Sequence, residues 1–189
     1  MSNNRQADLE ICVAWARDLS RRQDWVILDT ETTGLDRDAE IIQIGVTDHT
    51  GQPLLNNVLV RPVKPIPSRA TAIHGITNSM VENCPPFKAV WPALCRIFAE
   101  KEVVIYNAAY DTQLIRQTAR LYNIEVPKYR HSCAMLQYAV FKGEWNSYRN
   151  NYAWPKLKGG DHSAIGDCRA TLAILREMWA DVPVQMAMI

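Results

Sequence analysis

The pattern of hydrophobic and polar positions divides the first third of the chain into one helix and three strands. Residues 5–20 carry apolar side chains at helical spacing, which predicts an amphipathic helix packed on the rest of the protein. The apolar run of residues 24–31 predicts a buried strand. Residues 39–48 and 53–62 predict two more strands, joined by the turn segment DHTGQP. Strands in such close succession indicate an antiparallel arrangement.

The rest of the chain alternates helices with strands. A helix is predicted over residues 85–100, and a short buried strand follows over residues 102–107. Three further helices are predicted over residues 109–123, 132–143 and 162–179. Three antiparallel strands followed by alternating elements predict an α/β protein, in which a mixed sheet carries helices on its faces.

Length and composition are those of one ordinary globular domain. The chain has 189 residues, of which 48% are hydrophobic and 22% charged, with a net charge of +1. We expect a single domain over residues 1–189, with an N-terminal helix within residues 1–24 packed on it. No apolar run reaches the roughly 18 residues of a membrane span, and the N-terminus lacks the apolar core of a signal peptide. These features predict a cytoplasmic protein.

Four carboxylates lie at the ends of predicted strands or the starts of predicted helices. Asp29 and Glu31 stand two positions apart in the first strand, so both side chains point to the same face. Asp111 follows the strand of residues 102–107, and Asp167 lies near the start of the last helix. Because sites in α/β proteins form at strand ends and adjacent helix starts, all four can converge on one rim of the sheet. Such an oxygen-rich cluster suits Mg²⁺ or Mn²⁺.

Three segments resemble the motifs of a known enzyme family. They read VILDTETTGLDRDAEIIQIGV, YNAAYDTQLI and HSAIGDCRATLAIL. In these segments the chain resembles the DnaQ-like 3′–5′ exonucleases of the DEDD group, and the resemblance covers about residues 25–178. In the third segment His162 stands five residues before Asp167, which is typical of the DEDDh branch. The segment AIHGIT, residues 72–77, is also similar to that branch.

The resemblance implies a ribonuclease H-like fold with a five-stranded mixed sheet, and a two-metal phosphodiesterase. It implies that Asp29 bridges two Mg²⁺ or Mn²⁺ ions. Glu31 and Asp167 would hold the ion on the side of the attacking water, and Asp111 would act on the second ion through water. His162 is then the expected general base, because histidine gains and loses a proton near neutral pH. These five residues are the predicted catalytic set.

The resemblance also places the terminal nucleotide beside the first motif. In such a family the turn after the D-x-E pair contacts that nucleotide, and Leu35 is the candidate for an apolar wedge against the last base. The predicted substrate-binding residues are Thr32, Thr33, Gly34, Leu35, His74, Gly75, Ile76 and Asn107. An ordinary loop role for His74 and a capping role for Asn107 are equally open. The reaction expected first is release of nucleoside 5′-monophosphates from the 3′ end of single-stranded DNA.

Two alternatives to this reading, and a possible polymerase partner, stay open from the sequence alone. The substrate could be RNA, because contacts to the 2′-OH depend on main-chain and loop geometry. The chain could be a non-catalytic nucleic-acid-binding module, although none of the five predicted catalytic residues is lost. Proofreading would require a separate polymerase subunit, since a chain of this size has no evident polymerase of its own.

Two stretches depart from the family pattern. Tyr106 stands where many members have His. Residues 141–160 interleave Trp and Tyr with Lys and Arg, a composition that fits either a surface for single-stranded nucleic acid or aromatic packing under a loop. We predict a loop over most of this segment, leading directly to His162.

Overall fold

The centre of the fold is a mixed five-stranded sheet. The structure, a computed structural model, describes residues 2–180, with side chains from residue 5; residues 1 and 181–189 of the predicted single domain lie outside the described residues. The strands are β1 (Trp25–Thr32), β2 (Ile41–Asp48), β3 (Pro53–Leu59), β4 (Glu102–Ile105) and β5 (His131–Cys133). Their order across the sheet is β3-β2-β1-β4-β5. The first three are antiparallel, and β4 and β5 are parallel to β1, which confirms the predicted α/β class.

Helices cover both faces of this sheet. Within the described residues they are α1 (Ser2–Arg21), α2 (Ser68–His74), α3 (Asn78–Val81), α4 (Phe87–Glu100), α5 (Ala108–Arg120), α6 (Ala134–Lys142) and α7 (Ala164–Ala180). Side chains of α4 and α5 pack on one face with Val26 and Leu28, and those of α1, α6 and α7 pack on the other with Trp25 and Ile27. Alternate residues of a strand face opposite sides of the sheet. Because helices pack on both faces, the residues of a central strand that point to either face are apolar.

Helix α1 shares a buried cluster with helix α7. Ala16 and Leu19 of α1 are fully buried and belong to the same cluster as Leu175 of α7. Just after the helix, Arg22 forms ion pairs with Asp24 and with Glu102 at the start of β4. No helix in the described part of the chain combines the length and apolar character needed to cross a membrane.

Two short elements correct the predicted layout. The helix predicted over residues 132–143 begins only at Ala134, because residues 131–133 form the edge strand β5. The predicted loop before His162 contains a small hairpin of two strands, β6 (Trp145–Asn146) and β7 (Asn151–Tyr152). Strands of three and two residues are too short to show an alternating pattern, so no periodic signal predicts them.

Candidate active site

Asp29 and Glu31 lie at the end of the central strand β1. Asp29 pairs with Gly45 of β2, and Leu28 pairs with Ile105 of β4, so β1 is held on both sides up to this point. The register with β2 shifts between Glu31 and the next residue. The two carboxylates therefore project from a rigid strand immediately before it turns away from the sheet.

Asp111 reaches the same rim from the first turn of α5. It is 5% exposed and accepts a hydrogen bond of 2.8 Å from the Thr30 hydroxyl. Burial raises the pKa of Asp111 to about 7, although the Thr30 hydrogen bond opposes the shift. Thr30 alternates with the acids of β1, so one strand supplies both the charged pair and the group that orients a third carboxylate.

Asp167 and His162 flank the start of α7. Oδ1 of Asp167 accepts hydrogen bonds from the backbone N–H groups of Asp161, at 3.1 Å, and His162, at 3.3 Å. His162 lies before the helix with a left-handed φ of 58°, and its side chain is exposed. Potential ligand atoms of Glu31, His162 and Asp167 all lie within 4.8 Å of one another. The structure thus brings the two halves of the predicted catalytic set together.

The start of α7 is fixed by residues that the sequence analysis did not single out. Gln43 of β2 accepts the Ala164 N–H at 2.9 Å, and Asn57 of β3 accepts the Ile165 N–H at 2.8 Å. A Cβ atom at Gly45 would lie 2.5 Å from the carbonyl carbon of Ala164, so only glycine lets the helix approach the sheet this closely. In the sequence, the signals of this close approach were a glycine and a glutamine inside an otherwise apolar strand.

Mutual repulsion and burial dominate the electrostatics of the four acids. Burial raises the pKa of Asp29 well above its ordinary value, and the three neighbouring carboxylates raise it further. Burial and the charges of Asp167 and Asp111 raise the pKa of Glu31 to about 8. Burial also raises the pKa of Asp167. The ion pairs among the described residues involve none of these acids.

This donor set fits a hard divalent cation. Four carboxylates supply oxygen ligands and up to four negative charges, and sulfur ligands are absent from the described cluster of Glu31, His162 and Asp167. A cation placed among them would replace repulsion by attraction and favour their ionised forms. The arrangement can therefore hold divalent metal next to a histidine.

A pocket of about 450 Å³ opens beside Glu31. Its walls carry two exposed apolar side chains, Leu35 in the turn after β1, 82% exposed, and Ile73 on α2, 61% exposed. The lining residues are Thr30, Glu31, Thr32, Gly34, Leu35, Asp36, Arg69, Ala70, Ile73, His74 and Tyr110. A pocket of this volume, apolar on its walls and acidic at one end, suits a small ligand with one flat ring.

The predicted substrate-binding residues divide into two groups. Thr32, Gly34, Leu35 and His74 line the pocket. The remaining four are not among its lining residues: Thr33, Gly75, Ile76 and Asn107.

The side chains of two predicted substrate-binding residues, Ile76 and Thr33, are turned away from the pocket. Ile76 is 2% exposed and packs in a small cluster with Ile42, so its side chain cannot reach a nucleotide in the pocket. Ile73, three residues earlier, takes the place on the pocket wall. Thr33 is turned toward Glu40, whose backbone N–H it accepts at 2.9 Å.

Asn107 and His74 each resolve one of the open alternatives. Asn107 occupies the N-cap position of α5, but its side chain makes no capping hydrogen bond, so the capping role is not performed by that group. Nδ1 of His74 accepts the Ile76 N–H at 3.0 Å, which places the proton of the neutral ring on Nε2. That nitrogen is buried and has no hydrogen-bond partner among the described residues, and burial lowers the pKa of His74.

Tyr110 and Arg69 complete the pocket and were missed by the sequence analysis. The Tyr110 hydroxyl donates to the Gly34 carbonyl at 2.7 Å and so ties the turn after β1 to α5. Arg69 of α2 forms an ion pair of 2.7 Å with Asp36 at the pocket edge. Tyr110 belongs to the quoted segment YNAAYDTQLI and Arg69 to no quoted segment, but the contacts of both appear only in the folded arrangement.

The sheet order, and the acids gathered at its strand ends, define a nuclease of the ribonuclease H-like class. A family model described as Exonuclease matches residues 26–175. The chain belongs to this exonuclease family, in its DnaQ-like, DEDDh branch. It is therefore a hydrolytic nuclease that acts on nucleic acid, as the motifs predict.

Relatives in sequence and structure carry the same description. The protein named uncharacterized exonuclease CP81, of Escherichia phage 186, is 45% identical over 169 residues, which cover 80% of this chain and 86% of that protein. The DNA polymerase III subunit epsilon of Buchnera aphidicola is 29% identical over 163 residues, covering 77% and 68% respectively. Exonuclease X, solved with 5′-overhanging duplex DNA, matches with a TM-score of 0.57 and 27% identity, over 86% of this chain and 97% of that one.

Proposed function

We propose that this protein is a 3′–5′ exonuclease that uses two divalent cations to release nucleoside 5′-monophosphates from single-stranded DNA. The observation that carries the proposal is the position of the acids. Four carboxylates meet at one rim of the sheet, and one of them, Glu31, also lines a pocket of about 450 Å³ that would take a single terminal nucleotide. Cleavage at that rim would then fall at the phosphate joining the last nucleotide to the rest of the strand.

The four carboxylates are the proposed metal ligands: Asp29, Glu31, Asp111 and Asp167. Their positions on a rigid strand and at two helix starts hold them together before any cation binds. When bound, two Mg²⁺ or Mn²⁺ ions supply an activated water and stabilise the charge that develops on the leaving oxygen. The raised pKa of Glu31, about 8, is the response of an acid that lacks a compensating charge.

His162 is the proposed general base. Its exposed ring lies next to Glu31 and Asp167, where it can take the proton from the attacking water and pass it to solvent. Asp167 holds the backbone of His162 through its Oδ1, so the acid positions the base as well as the cation. The proton balance is simple, since water loses one proton and the departing 3′ oxygen gains one.

The pocket is the proposed site of the terminal nucleoside. Leu35 and Ile73 would flank the base, and apolar contact with both faces requires a base that is not paired. His74 offers an Nε2–H donor without a partner among the described residues, and Glu31 offers a carboxylate oxygen for the 3′-hydroxyl. A free 3′ end is thus the group that the pocket fits.

In this proposal DNA is the preferred substrate. The names of the related proteins support this choice. Their printed names include a DNA polymerase III subunit epsilon and an exonuclease solved with duplex DNA. The test is a competition between DNA and RNA strands of the same sequence, both labelled at the 5′ end, with Mg²⁺ present. We expect a ladder of shortened DNA that appears before any shortened RNA. Preferential shortening of the RNA would make the protein an exoribonuclease.

A second candidate role is proofreading beside a separate polymerase subunit. The name of the epsilon relative is the observation that favours it. In that case the protein should co-elute with a DNA polymerase catalytic subunit from the same source and remove a mismatched primer end faster within the complex. Independent elution with unchanged mismatch removal would leave the free exonuclease as the functional form.

A further inference from the structure

The hairpin β6–β7 presents aromatic rings to solvent close to the catalytic rim. Trp145 pairs with Tyr152 across the hairpin, and their rings meet edge to face at 5.4 Å. Tyr148 at the hairpin tip is 97% exposed, and Trp145 and Trp154 are 52% and 53% exposed. Three large aromatic side chains in one exposed segment of ten residues are more than packing under a loop requires.

Hydrogen bonds fix strand β7 and the residues that follow it. The Tyr152 hydroxyl donates to the Asp8 carboxylate of α1 at 2.8 Å. The Tyr106 hydroxyl donates to the Pro155 carbonyl at 2.7 Å, which gives a role to the tyrosine that departs from the family pattern. The exposed rings are therefore held on a positioned segment.

The same contacts place the hairpin beside the acids. Ile105 pairs with Leu28, so Tyr106 and Asp29, the residues that follow this pair, lie at the same end of the two parallel strands. Tyr106 packs in the cluster on the α7 face, toward which Asp29 also alternates. Pro155, bound by Tyr106, thus lies over the catalytic face, and the chain continues from it to His162.

Cations accompany the exposed rings. The Arg149 guanidinium lies 5.1 Å from the centre of the Trp154 ring. Lys156 and Lys158 are exposed along the same segment, with the exposed acids Glu144 and Asp161 on either side, whereas Lys142 forms an ion pair with Glu177. Aromatic faces combined with cations bind single-stranded nucleic acid with little sequence preference, because every base has a face to stack and every phosphate a charge.

We propose that the hairpin surface, residues 145–158, binds the single-stranded nucleic acid on the 5′ side of the nucleotide being released. This proposal rests on the proposed function and extends it, since the pocket beside Glu31 holds the last nucleotide and the hairpin surface holds the strand behind it. Trp154 and Tyr148 stack on bases, and Arg149 neutralises a phosphate. The surface makes the enzyme prefer strands long enough to reach the hairpin.

The test compares binding of short and long DNA strands. The strands, of about 4 and about 16 nucleotides, are bound with Mg²⁺ present by protein carrying Asp167→Asn, so that they are not cut. In this background Trp154→Ala or Tyr148→Ala should weaken binding of the long strand roughly tenfold, the usual size of one lost base stack. Binding of the short strand should change by less than about twofold, since it does not extend to the hairpin.

Charge is tested by Arg149→Ala, with Lys88→Ala as the matched control, since Lys88 is exposed on α4 across the sheet. Arg149→Ala should lower the slope of log affinity against log salt by about one, and Lys88→Ala should leave it unchanged. Folded variants that bind the long strand as the parent protein does would overturn the hairpin proposal. Failure of the unmodified enzyme to cut any strand with Mg²⁺ would instead overturn the proposed function.

Discussion

Asp29 is the residue on which the site depends most directly. It is surrounded by three other carboxylates, and burial with their charges raises its pKa well above the ordinary value. Asp29→Asn keeps the shape of the protonated group but removes a metal ligand. We expect cleavage with Mg²⁺ to fall at least about 100-fold, since even changes to outer partners of metal ligands have effects of up to that size.

The same substitution should leave the metal-free protein as stable as before, or more stable by about 1 kcal/mol, because folding no longer has to bury or protonate a carboxylate at this position. Denaturant unfolding in EDTA measures this free energy. Glu100→Gln, an exposed acid at the end of α4, is the control that should alter neither property. Normal turnover by the Asp29→Asn protein would refute the assignment of the metal site.

His162 can be separated from the metal ligands by its pH dependence. His162→Ala should retain Mg²⁺ binding and lose roughly 10²–10⁴-fold in rate, the usual contribution of a general base. The remaining rate should continue to rise with pH where the wild-type rate levels off, because hydroxide replaces the missing base. His131→Ala, an exposed histidine on β5, is the matched control. Parallel pH profiles would mean that His162 only shapes the loop.

At the scale of single residues, the sequence predicted the chemical groups of the site better than it predicted the contacts that position them. Spacing and family motifs identified the acids and the histidine, because ligands of one cluster must occupy fixed positions on strands and helices. Ile73 was missed because the rotational phase of a seven-residue helix cannot be read from its sequence. Tyr110 was missed because its contact to Gly34 joins residues 76 positions apart.

Helix α7 carries Asp167, and the proposed base His162 lies just before it, so the placement of α7 on the sheet is the decisive contact between elements. Gly45→Ala would put a Cβ atom 2.5 Å from the carbonyl carbon of Ala164, and the helix must shift. We expect a loss of about 1–3 kcal/mol in the free energy of unfolding, typical of overpacking, together with weaker Mg²⁺ binding. Calorimetry with Mg²⁺ and denaturant unfolding measure the two effects.

Gln43→Leu tests the same contact by removing a hydrogen-bond acceptor, whereas Gly45→Ala tests it by adding volume. It leaves the buried Ala164 N–H without its acceptor, which destabilises by about 1–3 kcal/mol. Thr47→Val is the control in the same strand, because the Thr47 hydroxyl is buried without a hydrogen-bond partner among the described residues. That change should be neutral or stabilising. Unaltered Mg²⁺ affinity in both the Gly45 and Gln43 variants would show that α7 is positioned by other contacts.

The elements that the sequence could and could not predict differ in length. Strands β1 and β2 and helices α4, α5 and α7 have long enough apolar patterns to be predicted within a few residues. Strand β5 and the hairpin β6–β7 have two or three residues per strand, and their existence depends on pairing with partners distant in sequence or on tertiary anchors such as Tyr106. Local pattern carries no information on such contacts.

For the whole molecule, we propose that residues 1–189 form one cooperative domain, in which α1 and α7 share a single hydrophobic cluster. Its stability without metal should depend on pH through the acids of the site. Folding raises the pKa of Glu31 to about 8 and of Asp111 to about 7, compared with about 4 in the unfolded chain. The folded protein therefore holds more protons than the unfolded chain between about pH 4 and pH 8.

The free energy of unfolding in EDTA should accordingly decrease as pH rises through that range. The lowered pKa of Asp24, about 2, acts in the opposite sense but only at more acidic pH, so it does not mask the effect. Mg²⁺ binds the ionised carboxylates, so it should stabilise the protein most near pH 8. Denaturant curves at several pH values test this, and stability that rises from pH 5 to pH 8 without metal would contradict it.

The most direct measurement uses one DNA strand in two forms, linear with a 3′-terminal label and closed into a circle, each incubated with the pure protein and Mg²⁺. The pocket beside Glu31, with Leu35 and Ile73 on its walls, is the proposed site of a terminal nucleotide, and a circle has none. We predict that the linear strand releases labelled mononucleotide from the first turnover while the circle survives, and that EDTA stops the release. Cleavage of the circle at a comparable rate would contradict the assignment of this site to a 3′ end.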